Sequence, residues 1–285
     1  MASDNAQDAE KGMDLNRRMW DERVPIHVRS EFYDVDGFKA GRPKLEPFEI
    51  EELGPLGGLR LAHLQCHFGL DTLDLARLHP TLTAVGLDFS QPAIETARGL
   101  AAELDLADRA TFVQANVYDA PEVLGAGEFD VIYTGKGALN WLPYIDRWAA
   151  ICARLLKPGG WLYVCEYHPV AWVFDDKEPV VKYDYFSVAP FVDDSPGTYA
   201  DRNAATEHNT CYEWQHPISQ VINEVLNAGF DLRFVNEWDW CHSDLGGWLI
   251  RGKDGRYRWP PPGRLPLMYS LKARRRAEPP NPAER

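Results

Sequence analysis

The run Leu59-Arg-Leu-Ala-His-Leu-Gln-Cys-His-Phe-Gly-Leu-Asp-Thr72 carries an apolar strand into a tight loop and then a helix. At the carboxyl edge of an open parallel sheet, such a loop sits where the strand order reverses, and the helix behind it turns free N–H groups towards a ligand. Nineteen residues past Gly69 stands Asp88, closing a second strand in Gly86-Leu-Asp-Phe-Ser90. A carboxylate there accepts hydrogen bonds from both hydroxyls of a ribose, and the adjacent Phe89 can lie on an adenine face. Gln114-Ala-Asn-Val-Tyr118 ends a third strand with a side-chain amide able to pair with an adenine edge. The chemistry these residues suit is the binding of an adenosyl-containing ligand.

A second group of reactive types follows the fifth strand. Cys165-Glu-Tyr-His-Pro169 sets Glu166 and His168 two apart, on one side of a strand that continues that far. They could bind an acceptor and take its proton; alternatively Glu166 caps a backbone turn and His168 packs before Pro169. Aromatic and histidine side chains gather in two other places, Trp20, His27 and Tyr33 near the N-terminus and His208, Tyr212, Trp214 and His216 beyond the fifth strand. With Trp141 and Tyr167 they would line a wall that favours a planar or cationic acceptor by stacking and cation–π attraction. The alternative for any one tryptophan is ordinary core, and Lys136 is either an acceptor contact or a solvated lysine. His208 with Cys211, and Cys241 with His242, bring no second pair at ligand spacing, so no metal is expected.

Helices and strands must position these groups. Between residues 59 and 166 apolar strands alternate with helical periodicity, the signature of a parallel sheet covered on both faces. Strands are expected at 59–64, 81–87, 111–114, 129–134 and 161–165, with helices at 70–78, after Ser90 as N-cap, and through Ile145, Trp148, Ala149, Cys152 and Leu155 to the stop at Lys157-Pro-Gly-Gly160. Residues 170–216 lack sustained periodicity and read as an irregular excursion. Ile218, Val221, Ile222, Val225 and Leu226 share one helical face, and 232–238 and 267–271 read as two more strands.

The chain has 285 residues, 30 basic and 43 acidic, for a net charge of −13, and five scattered cysteines. That charge opposes nucleic acid, and the one dense basic run, Lys272 to Arg276, lies beside the C-terminus. The cysteines read as reduced thiols. No apolar run is long enough for a bilayer and no secretory signal is visible, so a cytoplasmic protein without membrane or nucleic-acid partner is expected.

In order and spacing, Gln65 to Gly69, Asp88-Phe89, Gln114 to Tyr118, Phe129 to Thr134 and Leu155 to Gly160 resemble the class I S-adenosylmethionine-dependent methyltransferases, over roughly residues 55–168 and more loosely to 273. The resemblance implies an α/β fold, a doubly wound, seven-stranded, mostly parallel sheet with an antiparallel last strand. It also implies a lid made by the N-terminal arm and the insertion. It places Gln65, Cys66, His67 and Gly69 around the methionine part of S-adenosylmethionine, Asp88 on the ribose, Phe89 on the adenine, and Asn116 and Val117 at the adenine amino group. Thr134 and Gly135 would line the methionine moiety, S-adenosylhomocysteine being the product. Glu166 and His168 become candidate catalytic residues; Trp20, Tyr33, Trp141, Tyr167, His208, Tyr212 and Trp214 become candidate acceptor contacts. The loop departs from the family pattern, with Gln65 and His67 where glycines are usual and His63 where an acid is common.

The expected organisation is a disordered tail over 1–13, an arm over 14–54, a methyltransferase domain over 55–273 with the insertion 170–216 forming part of the acceptor pocket, and a disordered tail over 274–285, in a monomer or homodimer. The expected function is methyl transfer to a small aromatic or heterocyclic metabolite of specialised metabolism. C-methylation of an electron-rich ring and a non-catalytic cofactor-binding partner subunit remain as alternatives. A nicotinamide-dependent oxidoreductase is disfavoured because the loop lacks the glycines that admit a pyrophosphate.

Overall fold

The computed structural model describes residues 2–175 and 178–277. Seven strands form one sheet: β1 (Arg60–Leu64), β2 (Thr83–Asp88), β3 (Ala110–Gln114), β4 (Phe129–Gly135) and β5 (Leu156–Tyr167), then β8 (Phe230–Trp238) and β12 (Met268–Arg275). Their order is β3-β2-β1-β4-β5-β12-β8. The first five are parallel, and β12 runs antiparallel between β5 and β8. The strand order therefore reverses at β1, and the loops leaving β1 and β4 diverge to open a crevice at the carboxyl edge.

Alternation along each strand decides which layer it feeds. Ala62 and Leu64 of β1, with Val85 and Leu87 of β2, face a core built by α7 (Ile145–Leu155) and α8 (Ile218–Asn227), where Trp148 and Val225 are fully buried. Leu61, Ala84, Val131 and Tyr133 face the opposite core, closed by α3 (Pro47–Leu53) and α4 (Leu70–Leu78). A third cluster joins α4, α5 (Gln91–Glu103) and α2 (Val35–Lys39) through Phe38, Leu73, Ile94 and Phe112. Each such buried leucine or phenylalanine contributes about 1.5–3 kcal/mol. Ser90 caps α5 by accepting from the Ala93 N–H at 3.3 Å, as its sequence position predicts. The short helix α6 (Ala120–Leu124) completes the α7 side.

Three expectations need correction. Residues 2–13 are not a loose tail: α1 runs from Ala2 to Arg29, with Ala9 buried and Gly12 packed against Tyr212 and Trp214. The signal was there in Met13, Asn16, Met19, Trp20 and Arg23 at helical spacing, but the polar members hid its buried face. Lys157-Pro-Gly-Gly160 ends α7 yet belongs to β5, taken up where the register against β4 shifts between Phe129 and Val131. Arg274 and Arg275 are the end of β12, paired with Asp231 and Phe230, while 278–285 and Met1 lie outside the described residues. The connection before β12 also carries a small sheet of β9 (Trp240–Cys241), β10 (Ile250–Arg251) and β11 (Tyr257–Arg258). Among its described residues the insertion is largely irregular, as expected, with a 3-10 turn at Pro169–Val173, a bridge between Phe174 and Val181, and one short pair, β6 (Phe191–Asp193) with β7 (Cys211–Glu213).

Gly69, the N-cap of α4, has φ +81°, and a Cβ added there would lie 2.5 Å from the Phe112 ring. Left-handed strain and overpacking therefore add. Gly69→Ala is expected to lower stability by about 2–4 kcal/mol, read as a lower urea midpoint; an unchanged midpoint would mean the loop relaxes freely.

Candidate active site

The β1–α4 loop takes up a left-handed backbone at every second residue: Gln65 at φ 57°, His67 at 51° and Gly69 at 81°. Glycine does this freely, whereas a residue with a Cβ pays roughly 1–2 kcal/mol. The loop thus keeps a glycine-type path with two non-glycine residues, and bonds from outside hold it there. The Gln65 amide donates to the Ala138 carbonyl at 2.8 Å, the His67 N–H to the Asp88 carboxylate at 2.8 Å, and the Cys66 N–H to the Leu87 carbonyl at 3.0 Å. Burial pushes the Cys66 thiol well above its usual range, so it is packing rather than a nucleophile.

Asp88 is buried at the end of β2 and also accepts from the Ser90 N–H at 2.9 Å. Burial drives its carboxyl up to about 6, against the pull of those amides. Each oxygen keeps a lone pair for a further donor. Phe89 stands half-buried beside it, and Val117 is buried. Asn116 caps a short turn by accepting from the Tyr118 N–H at 3.0 Å, which leaves its NH2 group against the Met13 sulfur at 3.9 Å. At the end of β4, Thr134 is fully buried and its hydroxyl has no partner; Gly135 leaves no room for a side chain beside Tyr133.

Helix α1 and the insertion close over this edge. Trp20 lies 5.1 Å from the His67 ring and 5.3 Å from Trp141, between ring centres. His27 Nδ1 is 3.0 Å from His67 Nε2, and Tyr33 stacks on His27. Burial keeps both imidazoles neutral, His27 pushed down to about 3. The two segments are tied by polar bonds: the Tyr33 and Tyr199 hydroxyls meet, Glu22 accepts from the Glu207 and His208 N–H groups at 2.8 Å, and Asn16 bonds the Tyr212 backbone in both directions at 2.8 Å.

Of the candidate acceptor contacts, the structure brings Trp20, Tyr33 and Trp141 together over the loop. Tyr167 and Trp214 line a cavity of about 20 Å3 that holds roughly one water, and Trp214 also borders a neighbouring one of about 310 Å3 walled by Trp172, Phe174, Tyr183 and Trp248. Tyr212 is instead part of the α1–β7 seam, packed on Gly12, and the His208 side chain is exposed. Lys136 pairs with Glu49 at 2.9 Å and Asp71 at 3.4 Å, so it is neither an acceptor contact nor a solvated lysine. Among the described residues no three metal-ligating side chains converge.

The two proposed catalytic residues are corrected. Glu166 is buried with both oxygens engaged by backbone N–H groups, of Gly137 at 2.6 Å, Ala138 at 2.7 Å, Leu139 at 3.1 Å and Tyr167 at 3.2 Å. It anchors the post-β4 loop, the turn-capping alternative, with no lone pair directed at an acceptor. His168 turns to Glu237 at 3.0 Å and accepts from the Val170 N–H at 3.2 Å, at the β8 side of the sheet. Asn16, Arg23 and Tyr199 went unread in the sequence; the spacing 16, 20, 23, 27 on one helical face was the available signal. Glu166→Gln turns an amide NH2 towards backbone donors and should cost about 2–3 kcal/mol in urea unfolding; wild-type stability would deny the anchoring role.

Comparison with known proteins agrees with the fold. Residues 62–162 match the methyltransferase domain family. The ubiquinone biosynthesis O-methyltransferase of Thiobacillus denitrificans is 28% identical over 165 residues, covering 57% of this chain and 63% of that protein. The one of Caulobacter sp. strain K31 is 36% identical over 152 residues, covering 51% and 56%. The chain thus spans under two thirds of the length of these relatives. An S-adenosylmethionine-dependent methyltransferase from Mesorhizobium loti superposes with a TM-score of 0.53 at 19% identity, over 83% of this chain and all of that one. The geranyl diphosphate C-methyltransferase of Streptomyces coelicolor gives 0.51 at 14%, over 80% and 77%. Residues 62–162 match the methyltransferase domain family model, and the sheet they open has the Rossmann-like class I methyltransferase fold.

Proposed function

We propose that this chain transfers a methyl group from S-adenosylmethionine to a small aromatic acceptor at oxygen. The observation that carries the reading is a set of buried, unpartnered polar atoms on the elements that border the carboxyl edge of the sheet: Gln65 Oε1 from the β1 loop, Thr134 Oγ1 from β4, and Asp21 Oδ1 and His27 Nε2 from the covering helix. Polar atoms left unpaired at that depth are costly unless a ligand completes them. The residues suit the cofactor: Asp88 for the ribose diol, Phe89 for the adenine, Gln65 and Thr134 for the amino-acid part. When bound it supplies an electrophilic sulfonium methyl.

The chain's own contribution is then positioning and exclusion of water. The α1–insertion cover, joined by Tyr33 with Tyr199 and by Glu22, keeps the crevice dry, and fixed geometry of this kind lowers a displacement barrier by up to roughly 7–11 kcal/mol. Trp20 and Trp141 offer edges and faces to a planar acceptor. Oxygen as the acceptor atom is favoured by the curated relatives, which are named ubiquinone biosynthesis O-methyltransferases.

Titration calorimetry with S-adenosylmethionine and S-adenosylhomocysteine, with NADH as control, tests the reading. Adenosyl ligands alone should bind, and Asp88→Ala should weaken them by about 1.5–3 kcal/mol. Two hydroxyl donors favour the ionised carboxylate, so binding should be strongest above pH 6 and fall as the pH drops through about 6, where Asp88 protonates. NADH binding, or wild-type affinity in Asp88→Ala, would defeat it.

A further inference from the structure

The cavity of about 310 Å3 between the insertion and the connection before β12 falls within the roughly 300–1,000 Å3 of ligand pockets. Trp172, Tyr183, Trp214 and Trp248 wall it; Asp175, Asp184, Asp193 and Glu213 line it, and no described lysine, arginine or histidine does. The rings are fixed in place: the Trp248 indole donates to the Asp175 carbonyl at 3.1 Å and stacks on Trp259, and Tyr183 meets Phe191 edge-on. The described bonds of Asp184 and Asp193, from neighbouring N–H groups and the Ser195 hydroxyl, all fall on Oδ1, so each keeps a second oxygen for a donor. Glu213 accepts from the Asn140 amide at 2.8 Å, and Arg23 reaches Asp193 and Glu213 only through space. One ammonium of the chain already uses this wall: the half-exposed Lys182 Nζ lies 2.5 Å from Asp175 and 5.0 Å from the centre of the Tyr183 ring. The smaller cavity shares Asn140, Trp172 and Trp214 with the larger one and ends on Glu166 and Tyr167, which close β5 at the carboxyl edge of the sheet.

We propose that this cavity seats an organic ammonium group, the charged arm of the methyl acceptor. Aromatic faces attract a cation through the ring quadrupole, and carboxylates add charge-assisted hydrogen bonds from its N–H groups. An anionic guest would meet four carboxylates and no described cation in the lining, and a neutral one would fill the space between the rings while leaving the acids unanswered. The acceptor class this names is an aryl-alkyl amine; it deepens the methyltransferase reading, and its role as acceptor rests on that reading.

Calorimetry on the full chain compares tyramine with 4-propylphenol, which replaces the ammonium by a methyl group, and with 3-(4-hydroxyphenyl)propionate, which reverses the charge. Wild type should bind tyramine at least about fivefold more tightly than either. Asp184→Asn combined with Asp193→Asn keeps an oxygen acceptor in each turn and removes two charges, and should cut that preference by about threefold or more. Lys182→Met withdraws the competing ammonium from Asp175 and Tyr183 and should tighten tyramine by about threefold, a readout that survives if the double variant does not fold. A smaller wild-type preference, or tyramine affinity unmoved in every variant that folds, overturns the proposal. Saturating S-adenosylhomocysteine should leave tyramine binding in place, since acceptor and cofactor occupy the site together; exclusion of tyramine overturns its role as acceptor. Wild type binding no S-adenosylhomocysteine would instead remove the methyltransferase reading, and the tyramine arm on the free protein would still decide the cavity.

Discussion

The Asp88 carboxylate is the joint on which the crevice depends. It ends β2, receives the His67 N–H of the neighbouring loop and the Ser90 N–H that opens α5, and is buried while doing so. One strand, one loop and one helix are thereby fixed to a single acidic group. Without it the β1 loop keeps only the Gln65–Ala138 and Cys66–Leu87 bonds to hold its left-handed backbone, and His67, on which the aromatic cover rests, loses its anchor. Burial makes the ionised form of that group expensive, so the same joint is sensitive to what neutralises or hydrogen-bonds it.

Much of this was legible in the sequence because it depends on local rules. Strand periodicity, the Ser90 cap and the acid after the second strand mark the sheet and put Asp88 at its carboxyl edge. The misses have physical causes. Glu166 and His168 look alike on paper, two polar residues at a strand end, but only packing decides that one meets four amides and the other meets Glu237. Arg23 and Asn16 were unread because buried polar residues break the apolar stripe by which a helix face is recognised. Tyr199 is inseparable from its partner Tyr33, 166 residues away, and no local pattern encodes such a pairing.

The covering layer illustrates how a helix and an irregular segment make one wall. Asn16 lends its side-chain amide to the edge of β7 as a strand would lend its backbone, accepting from and donating to Tyr212. Glu22 takes two N–H groups of the insertion in the same manner. Helix α1 thus satisfies four backbone groups of the insertion, which packs Trp214 on Gly12 and sets Tyr199 beside His27.

The loop at Gln65 and His67 has a thermodynamic consequence. A glycine loop samples many backbone states when empty and loses that freedom when a ligand fills it. Here the left-handed path is already locked, by the Gln65 amide on Ala138 and by His67 on Asp88. Strain is carried by the free protein instead, and a guest meets a cradle that need not be ordered. Its association should therefore show a smaller entropic penalty from the loop than a triglycine cradle would, a difference visible in the temperature dependence of binding rather than in the contacts themselves.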